Sequence, residues 1–144
     1  MEYASPIWNP TELGLTAQLE RVQRRFTRRL FGQGAPDYEA RLRELKGMTL
    51  AARRDYLDLS LAFKLLHGLV DSDDNKTKIM PNHNNTRGCG TDIIVNRART
   101  AYMGRSYTYR IVSRWNHLPT AVKASLSLPA FRRNLLGHLS QNIN

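Results

Sequence analysis

The hydrophobic pattern of the chain predicts several amphipathic helices packed around one helix that is apolar on nearly every side. This helix covers residues 49–68, with Thr49 as its N-cap and Gly68 just past its C-terminus. At 3.6 residues per turn, its apolar side chains form two opposite stripes. One stripe is Leu50, Leu57, Leu61 and Leu65, and the other is Leu59, Phe63 and Leu66. The pattern therefore indicates a central helix that is buried on several sides.

Only the first two turns of the central helix are strongly polar. They carry Arg53, Arg54, Asp55 and Asp58. We expect Asp58→Ala to have little effect, and Leu61→Asp to unfold the domain because an unpaired carboxylate is costly at a packed position.

Two shorter patterns precede the central helix. Residues 1–10 contain two prolines and predict an extended lead-in that is anchored by aromatic side chains such as Tyr3 and Trp8. A first helix then begins at Thr11 or Thr16 and runs to about Leu30. Its apolar stripe, which is expected to pack on the core, is Leu15, Leu19, Val22, Phe26 and Leu30.

The next helix is short. Asp37 is its expected N-cap, Gly47 closes it, and Tyr38, Leu42 and Leu45 point inward.

The second half begins with a polar stretch. Residues 71–91 are rich in Asp, Asn, Thr and Gly and predict a flexible linker, whereas residues 92–96 predict an isolated extended segment or one strand of a small hairpin. A helix follows from Ser106, then one turn over residues 120–124, then a last helix from Ser127. The inward positions of these helices are Tyr107, Ile111, Trp115 and Leu118, and then Leu128, Phe131, Leu135 and Leu139.

These elements predict an all-α fold. We expect a small helical bundle over residues 1–70, the polar linker over residues 71–91, and a basic C-terminal segment over residues 92–144 that packs on the bundle.

The net charge indicates the kind of partner rather than the fold. The formal charge is +10, and residues 93–144 carry 8 Lys/Arg and no acid. Such an excess favours polyanions, nucleic acid before anionic membrane. The single cysteine allows no disulfide, and neither a membrane span nor a secretion signal is apparent. We therefore expect a protein of the nucleus or cytoplasm that is not secreted and has no membrane partner.

Two groups of basic residues are candidate nucleic-acid contacts. The first recurs at helical spacing, opposite the apolar stripe of the first helix, and consists of Arg21, Arg24, Arg25 and Arg28 with Arg29 at its flank. The second is interleaved with aromatic residues, of which Tyr102 and Tyr109 are the expected base-stacking side chains, and consists of Arg97, Arg99, Arg105, Arg110 and Arg114. The alternative for both groups is ordinary solvated surface.

Catalytic chemistry finds little support in the sequence. Two-metal catalysis needs carboxylates on rigid backbone, and the only adjacent acidic pair, Asp73 and Asp74, lies in the polar linker. His83 and Cys89 are too few to hold a metal ion. We expect no catalytic residues, no metal site and no cofactor.

Several segments in this order resemble the C-terminal end of reverse transcriptases from LINE-type non-LTR retrotransposons. The matching segments are EYASPIWNP, LERVQRRFTRRL, YEARLREL, TLAARR with FKLLHG, TRG, WNHLP and the closing Phe131. The resemblance implies a thumb-like helical region that holds the template and primer duplex, RNA and DNA being its partners. The polymerase palm with its catalytic aspartates would precede Met1. The turn at Lys46 departs from the Leu-Gly-Leu-like sequence expected there.

The sequence thus predicts a non-catalytic, nucleic-acid-binding part of a retrotransposon reverse transcriptase, an RNA-directed DNA polymerase. The alternative is a purely structural or protein-interaction helical module with no nucleic-acid role.

Overall fold

A computed structural model describes residues 4–10, 12–70, 79–82, 90–95 and 97–141. This part of the chain forms a small, mostly helical domain, which confirms the predicted fold class. In chain order, the elements are α1 (Ser5–Trp8), α2 (Leu13–Phe31), α3 (Tyr38–Glu44), α4 (Leu50–Leu66), β1 (Met80–Pro81), β2 (Ile93–Ile94), α5 (Ala101–Gly104), α6 (Tyr107–Asn116), α7 (Thr120–Lys123) and α8 (Leu128–Gln141).

Helix α4 is the centre of the fold, as its apolar pattern predicts. Helices α1, α2, α6 and α8 all contact it. In the middle of the core, the Phe63 ring stacks on Phe131 with centroids 4.5 Å apart, and Phe131 stacks on Trp115 at 5.6 Å. The buried cluster around these rings also contains Leu59, Ala62, Ile93, Ile111, Leu118, Val122 and Leu135.

The predicted N-caps of α3 and α4 are also confirmed, whereas α3 ends at Glu44 and the left-handed residue after it is Lys46, not the predicted Gly47. The Thr49 hydroxyl accepts from the Ala52 N–H at 3.1 Å, and the Asp37 carboxylate accepts from the Ala40 N–H at 2.8 Å. Gly68 has φ 62°, a left-handed conformation that glycine adopts without steric cost. These caps satisfy N–H groups that a helix leaves unpaired in its first turn.

The polar residues of α4 are not at the surface. Arg54 is 1% exposed and Asp58 is 0% exposed, whereas Leu61 is only partly buried. The expectation that Asp58 matters little does not fit this position. Asp58 is buried because α1 and α6 bring polar partners to it, which the pattern within α4 does not show.

Helix α2 packs with a different face from the one predicted. Leu15, Val22, Phe26 and Leu30 of its apolar stripe are exposed, and the buried residues of the helix are Glu20 and Thr27. Hydrogen bonds hold this polar face to the body: Glu20 accepts from the Tyr38 hydroxyl, and Gln23 donates to the Met48 carbonyl at 2.9 Å. The prediction that the stripe packs on the core is therefore wrong.

Within the N-terminal lead-in, residues 5–8 form a single helical turn rather than an extended segment. Pro6 lies in the first turn of α1, where a backbone N–H would have no partner within the helix, so proline is tolerated there. The buried residues here are Ser5 and Asn9, not the aromatic Trp8. Helix α2 then begins at Leu13, so Thr16 lies inside it. Tyr3 and Thr11 lie outside the described residues.

Part of the predicted linker forms a strand. Met80 and Pro81 of β1 pair antiparallel with Ile94 and Ile93 of β2, so residues 92–96 supply one strand of a small hairpin, one of the two predicted alternatives. The Asn116 amide fixes β2 by bonding both the N–H and the carbonyl of Ile93, each at 3.0 Å. Residues 71–78 and 83–89 lie outside the described part of the chain.

Candidate nucleic-acid interface

The C-terminal half of α2 and the turn after it enclose an open cavity of about 1220 Å³ that is lined by arginine. Its lining is Arg21, Arg24, Arg25, Arg28, Arg29, Gly32, Gln33, Gly34, Ala35 and Arg41. The structure thus brings the whole first group of predicted contacts into one concave surface, the arginine cavity. Among the residues that the structure describes, no acidic side chain lines it.

The orientation of these arginines follows from how α2 is attached. Glu20, Gln23 and Thr27 occupy the side of the helix that faces the body, so the arginine side faces solvent. Gly32 at φ 70° and Gly34 at φ 81° then turn the chain back towards α3. Both conformations favour glycine, and the turn completes the wall of the cavity.

Arg41 belongs to the arginine cavity although the sequence pattern does not select it. It is buried on α3, where its Nε donates to the Thr27 hydroxyl at 3.2 Å and an Nη donates to the Pro36 carbonyl. No charge run marks Arg41, because its neighbours in the cavity come from α2, 12 or more positions earlier in the chain.

Arg24 is oriented by stacking on Tyr38. Its guanidinium carbon lies 4.8 Å from the centroid of the Tyr38 ring, a cation–π geometry. Burial, together with the hydrogen bond to Glu20, raises the pKa of the Tyr38 hydroxyl well above its ordinary value. The stack on this ring holds Arg24 at the cavity edge.

The arginine cavity is suited to anions. Within the described part of the chain, no carboxylate forms an ion pair with Arg21, Arg25, Arg28 or Arg29. Guanidinium groups bind phosphate oxygens through two parallel N–H bonds, which an ammonium group cannot do. Several such groups in one concave surface match a chain of phosphates better than an isolated small anion.

The second predicted group does not form a comparable surface. Arg97 and Arg99 are exposed, and Arg105 is paired with Glu12 at 3.4 Å, both side chains being largely in solvent. Tyr102 is exposed and Tyr109 is partly buried. None of these residues lines the arginine cavity.

Arg110 and Arg114 serve an internal network instead. Arg110 is buried and donates to Pro6 O at 2.8 Å and to Asp58 Oδ2 at 3.3 Å. Arg114 pairs with Asp55 and reaches Asp58 Oδ2 at 3.4 Å. Since their guanidinium groups are engaged by internal carboxylates, we leave both residues out of the interface.

Asp58 is the centre of this network. Besides the two arginines, it accepts from Asn9 Nδ2 at 2.9 Å, while Asn9 Oδ1 accepts from Arg54 Nε at 3.1 Å. The Tyr107 hydroxyl donates to the Asp58 carbonyl at 2.8 Å. The network ties α1, α4 and α6 together, so its role is structural.

A second open cavity, of about 560 Å³, lies between α1, the start of α2, and the α5–α6 region. We call it the aromatic cavity. Its lining includes Trp8, Tyr102, Tyr107, Arg105 and Glu12. Tyr102 and Arg105 are predicted contacts. For Trp8 the sequence predicts an anchoring role, whereas in the fold its side chain is exposed and borders this cavity.

No metal site is found among the described residues, in which no three His, Cys, Asp or Glu side chains cluster. Asp73, Asp74, His83 and Cys89 lie outside the described part of the chain, as do residues 86–88. Nor is any described helix long and apolar enough to cross a lipid bilayer.

Comparisons with known proteins supply no relative for this site. No protein-family model matches the chain, and no curated protein and no solved structure shows significant similarity to it.

Proposed function

We propose that this protein binds nucleic acid through phosphate contacts in the arginine cavity and performs no chemistry of its own. The observation that carries the proposal is the gathering of six arginines, five from α2 and Arg41 from α3, in one concave surface that no described acidic side chain lines. Contacts of this kind position a nucleic acid without reading its sequence, so we expect little sequence preference.

The test is the salt dependence of binding. On duplex DNA, each neutralised phosphate contributes about 0.9 to the slope of log affinity against log salt. Arg25→Gln with Arg28→Gln removes two exposed charges while keeping helix propensity, and we expect the slope to fall by about 2. Fluorescence anisotropy with a labelled duplex at several salt concentrations measures this change.

A matched control removes two exposed charges elsewhere. Arg43→Gln with Arg133→Gln changes net charge equally, but neither residue lines the arginine cavity. We expect this variant to keep nearly the parental slope. Equal slopes for the two double variants would show that only net charge matters and would contradict the proposed site.

We also propose, from the resemblance of the quoted segments, that the chain is the thumb and C-terminal region of a retrotransposon reverse transcriptase. Such a region is expected to be helical, as this fold is. The proposal assigns polymerase chemistry to other parts of such an enzyme. We therefore expect no primer extension by the purified chain with Mg²⁺ or Mn²⁺. Template-dependent extension would contradict the non-catalytic assignment.

One observation favours a protein-interaction module as the second candidate. The stripe of Leu15, Val22, Phe26 and Leu30 is exposed along α2, and a continuous apolar surface is typical of a docking site. At 100° per residue, Arg25 and Arg29 lie along one edge of this stripe. An apolar partner with an acidic edge would match it. A second copy of the chain would not match it, because its own arginines would lie against Arg25 and Arg29.

The two candidates differ in their response to Phe26→Ser. If Phe26→Ser abolishes binding of an apolar protein partner with an acidic edge and leaves nucleic-acid affinity unchanged, the protein-interaction module is favoured. The reason is that Phe26 does not line the arginine cavity. Unchanged behaviour in both assays would leave the stripe without a binding role.

A further inference from the structure

The aromatic cavity has a different chemical character from the arginine cavity. Trp8 and Tyr102 in its lining are exposed, and Ile7 and Leu15 add apolar surface beside them. Its volume of about 560 Å³ lies within the roughly 300–1,000 Å³ typical of small-ligand sites. The Tyr102 ring, which is 87% exposed, offers a flat face on which a planar group can stack.

The charges around the aromatic cavity largely cancel. Arg105 is paired with Glu12 at 3.4 Å, and Arg110 is neutralised by Asp58 inside the network. The remaining lining residues that the structure describes are uncharged: Asn9, Pro10, Ser106, Tyr107 and Thr108, with the apolar residues already named. A site without net charge does not favour a phosphate cluster. It favours an uncharged planar group.

We propose that the aromatic cavity receives an unpaired base of a single-stranded nucleic acid whose phosphates lie on the arginines of α2. This inference rests on the proposed function, to which it adds a preference for single strands. Bases stack on aromatic side chains irrespective of sequence, because every base has a π face. In a duplex the bases are paired and stacked on one another, so no base is available to enter.

The two cavities are close enough for one strand to reach both. Leu15 borders the aromatic cavity and Arg25 the arginine cavity, and ten residues of helix separate them. At 1.5 Å per residue this is roughly 15 Å along α2. A strand of several nucleotides spans that distance.

Tryptophan fluorescence gives a direct test on the intact protein. The chain has two tryptophans, of which Trp115 is 2% exposed in the core and Trp8 borders the aromatic cavity. We expect a mixed-sequence single-stranded oligonucleotide to quench the emission of the parent protein but not of Trp8→Phe. A duplex of the same length should bind, as anisotropy reports, without quenching.

Tyr102 provides the matched substitutions. Tyr102→Ala should weaken single-strand binding by roughly fivefold or more and leave duplex affinity unchanged, since stacking of one base contributes a factor of that order. Tyr102→Phe keeps the ring and should restore parental affinity. Because Tyr102 is exposed, neither change is expected to disturb folding.

The outcomes separate this inference from the function on which it rests. Binding of both single strands and duplex, without quenching and without an effect of Tyr102→Ala, would overturn the base site while leaving phosphate binding intact. Equal weakening of duplex and single-strand binding by Tyr102→Ala would also overturn it. Absence of binding to either nucleic acid would overturn the proposed function together with this inference.

Discussion

Replacing Asp58 by alanine should destabilise the protein by about 3–5 kcal/mol, the usual cost of removing one partner from a buried ion pair. Asp58 is 0% exposed, and its carboxylate accepts from Asn9 at 2.9 Å and from Arg110 at 3.3 Å. The variant leaves the guanidinium of Arg110 buried beside an empty position. Stability of about 5–15 kcal/mol is ordinary for a domain, so the loss would be a large fraction of the total.

Urea unfolding followed by circular dichroism measures this loss, and a fall in melting temperature of about 10–15 °C should accompany it. Asp55→Ala is the matched control, because it removes a carboxylate from the same helix at a partly exposed position paired with Arg114. There we expect a loss of at most about 1 kcal/mol. A cost below about 1 kcal/mol for Asp58→Ala, with an unchanged dependence on urea, would show that Asp58 does not stabilise the network.

Three further outcomes follow from individual positions. Burial raises the pKa of the Tyr107 hydroxyl above its ordinary 10.0, so only the unfolded chain ionises as the pH first rises past that value. The free energy of unfolding should therefore fall above about pH 10, and less steeply in Tyr107→Phe, as urea midpoints at increasing pH would show. Phe26→Ser on the exposed stripe should change stability by less than about 0.5 kcal/mol, and a loss above 2 kcal/mol in the same assay would mean that the stripe is packed. Lys46 has φ 48°, a left-handed conformation that costs a non-glycine residue roughly 1–2 kcal/mol, so Lys46→Gly should raise the unfolding free energy by up to about 1 kcal/mol; a decrease would contradict this.

The sequence predicts the elements whose signals are local. The apolar pattern of α4 and the caps at Thr49 and Asp37 depend on residues a few positions apart, and the structure confirms them. The arginines of the first group also follow from helical spacing alone. Their spacing places them on one side of α2, which is what gathers them in one cavity.

What the sequence does not show is which face of a helix has a partner. In α2 the pattern identifies the apolar stripe correctly, yet the helix is attached by Glu20 and Gln23, whose partners are 18 and 25 positions away. Likewise, Arg110 has the spacing of a surface contact, but its carboxylate partner lies 52 positions earlier. Pairings over such separations depend on how the helices are arranged, and a single sequence carries no direct signal for that.

The polar attachment of α2 has a consequence for the dynamics of the molecule. Hydrogen bonds such as those of Glu20, Gln23 and Thr27 each contribute only about 0.5–1.5 kcal/mol net, far less than the stacked aromatic core around Phe63. We therefore expect helix α2 to open as a separate cooperative unit at a free energy below that of global unfolding. Its amide protons would exchange with solvent through this local opening, while those in the middle of α4 would exchange only when the whole domain unfolds.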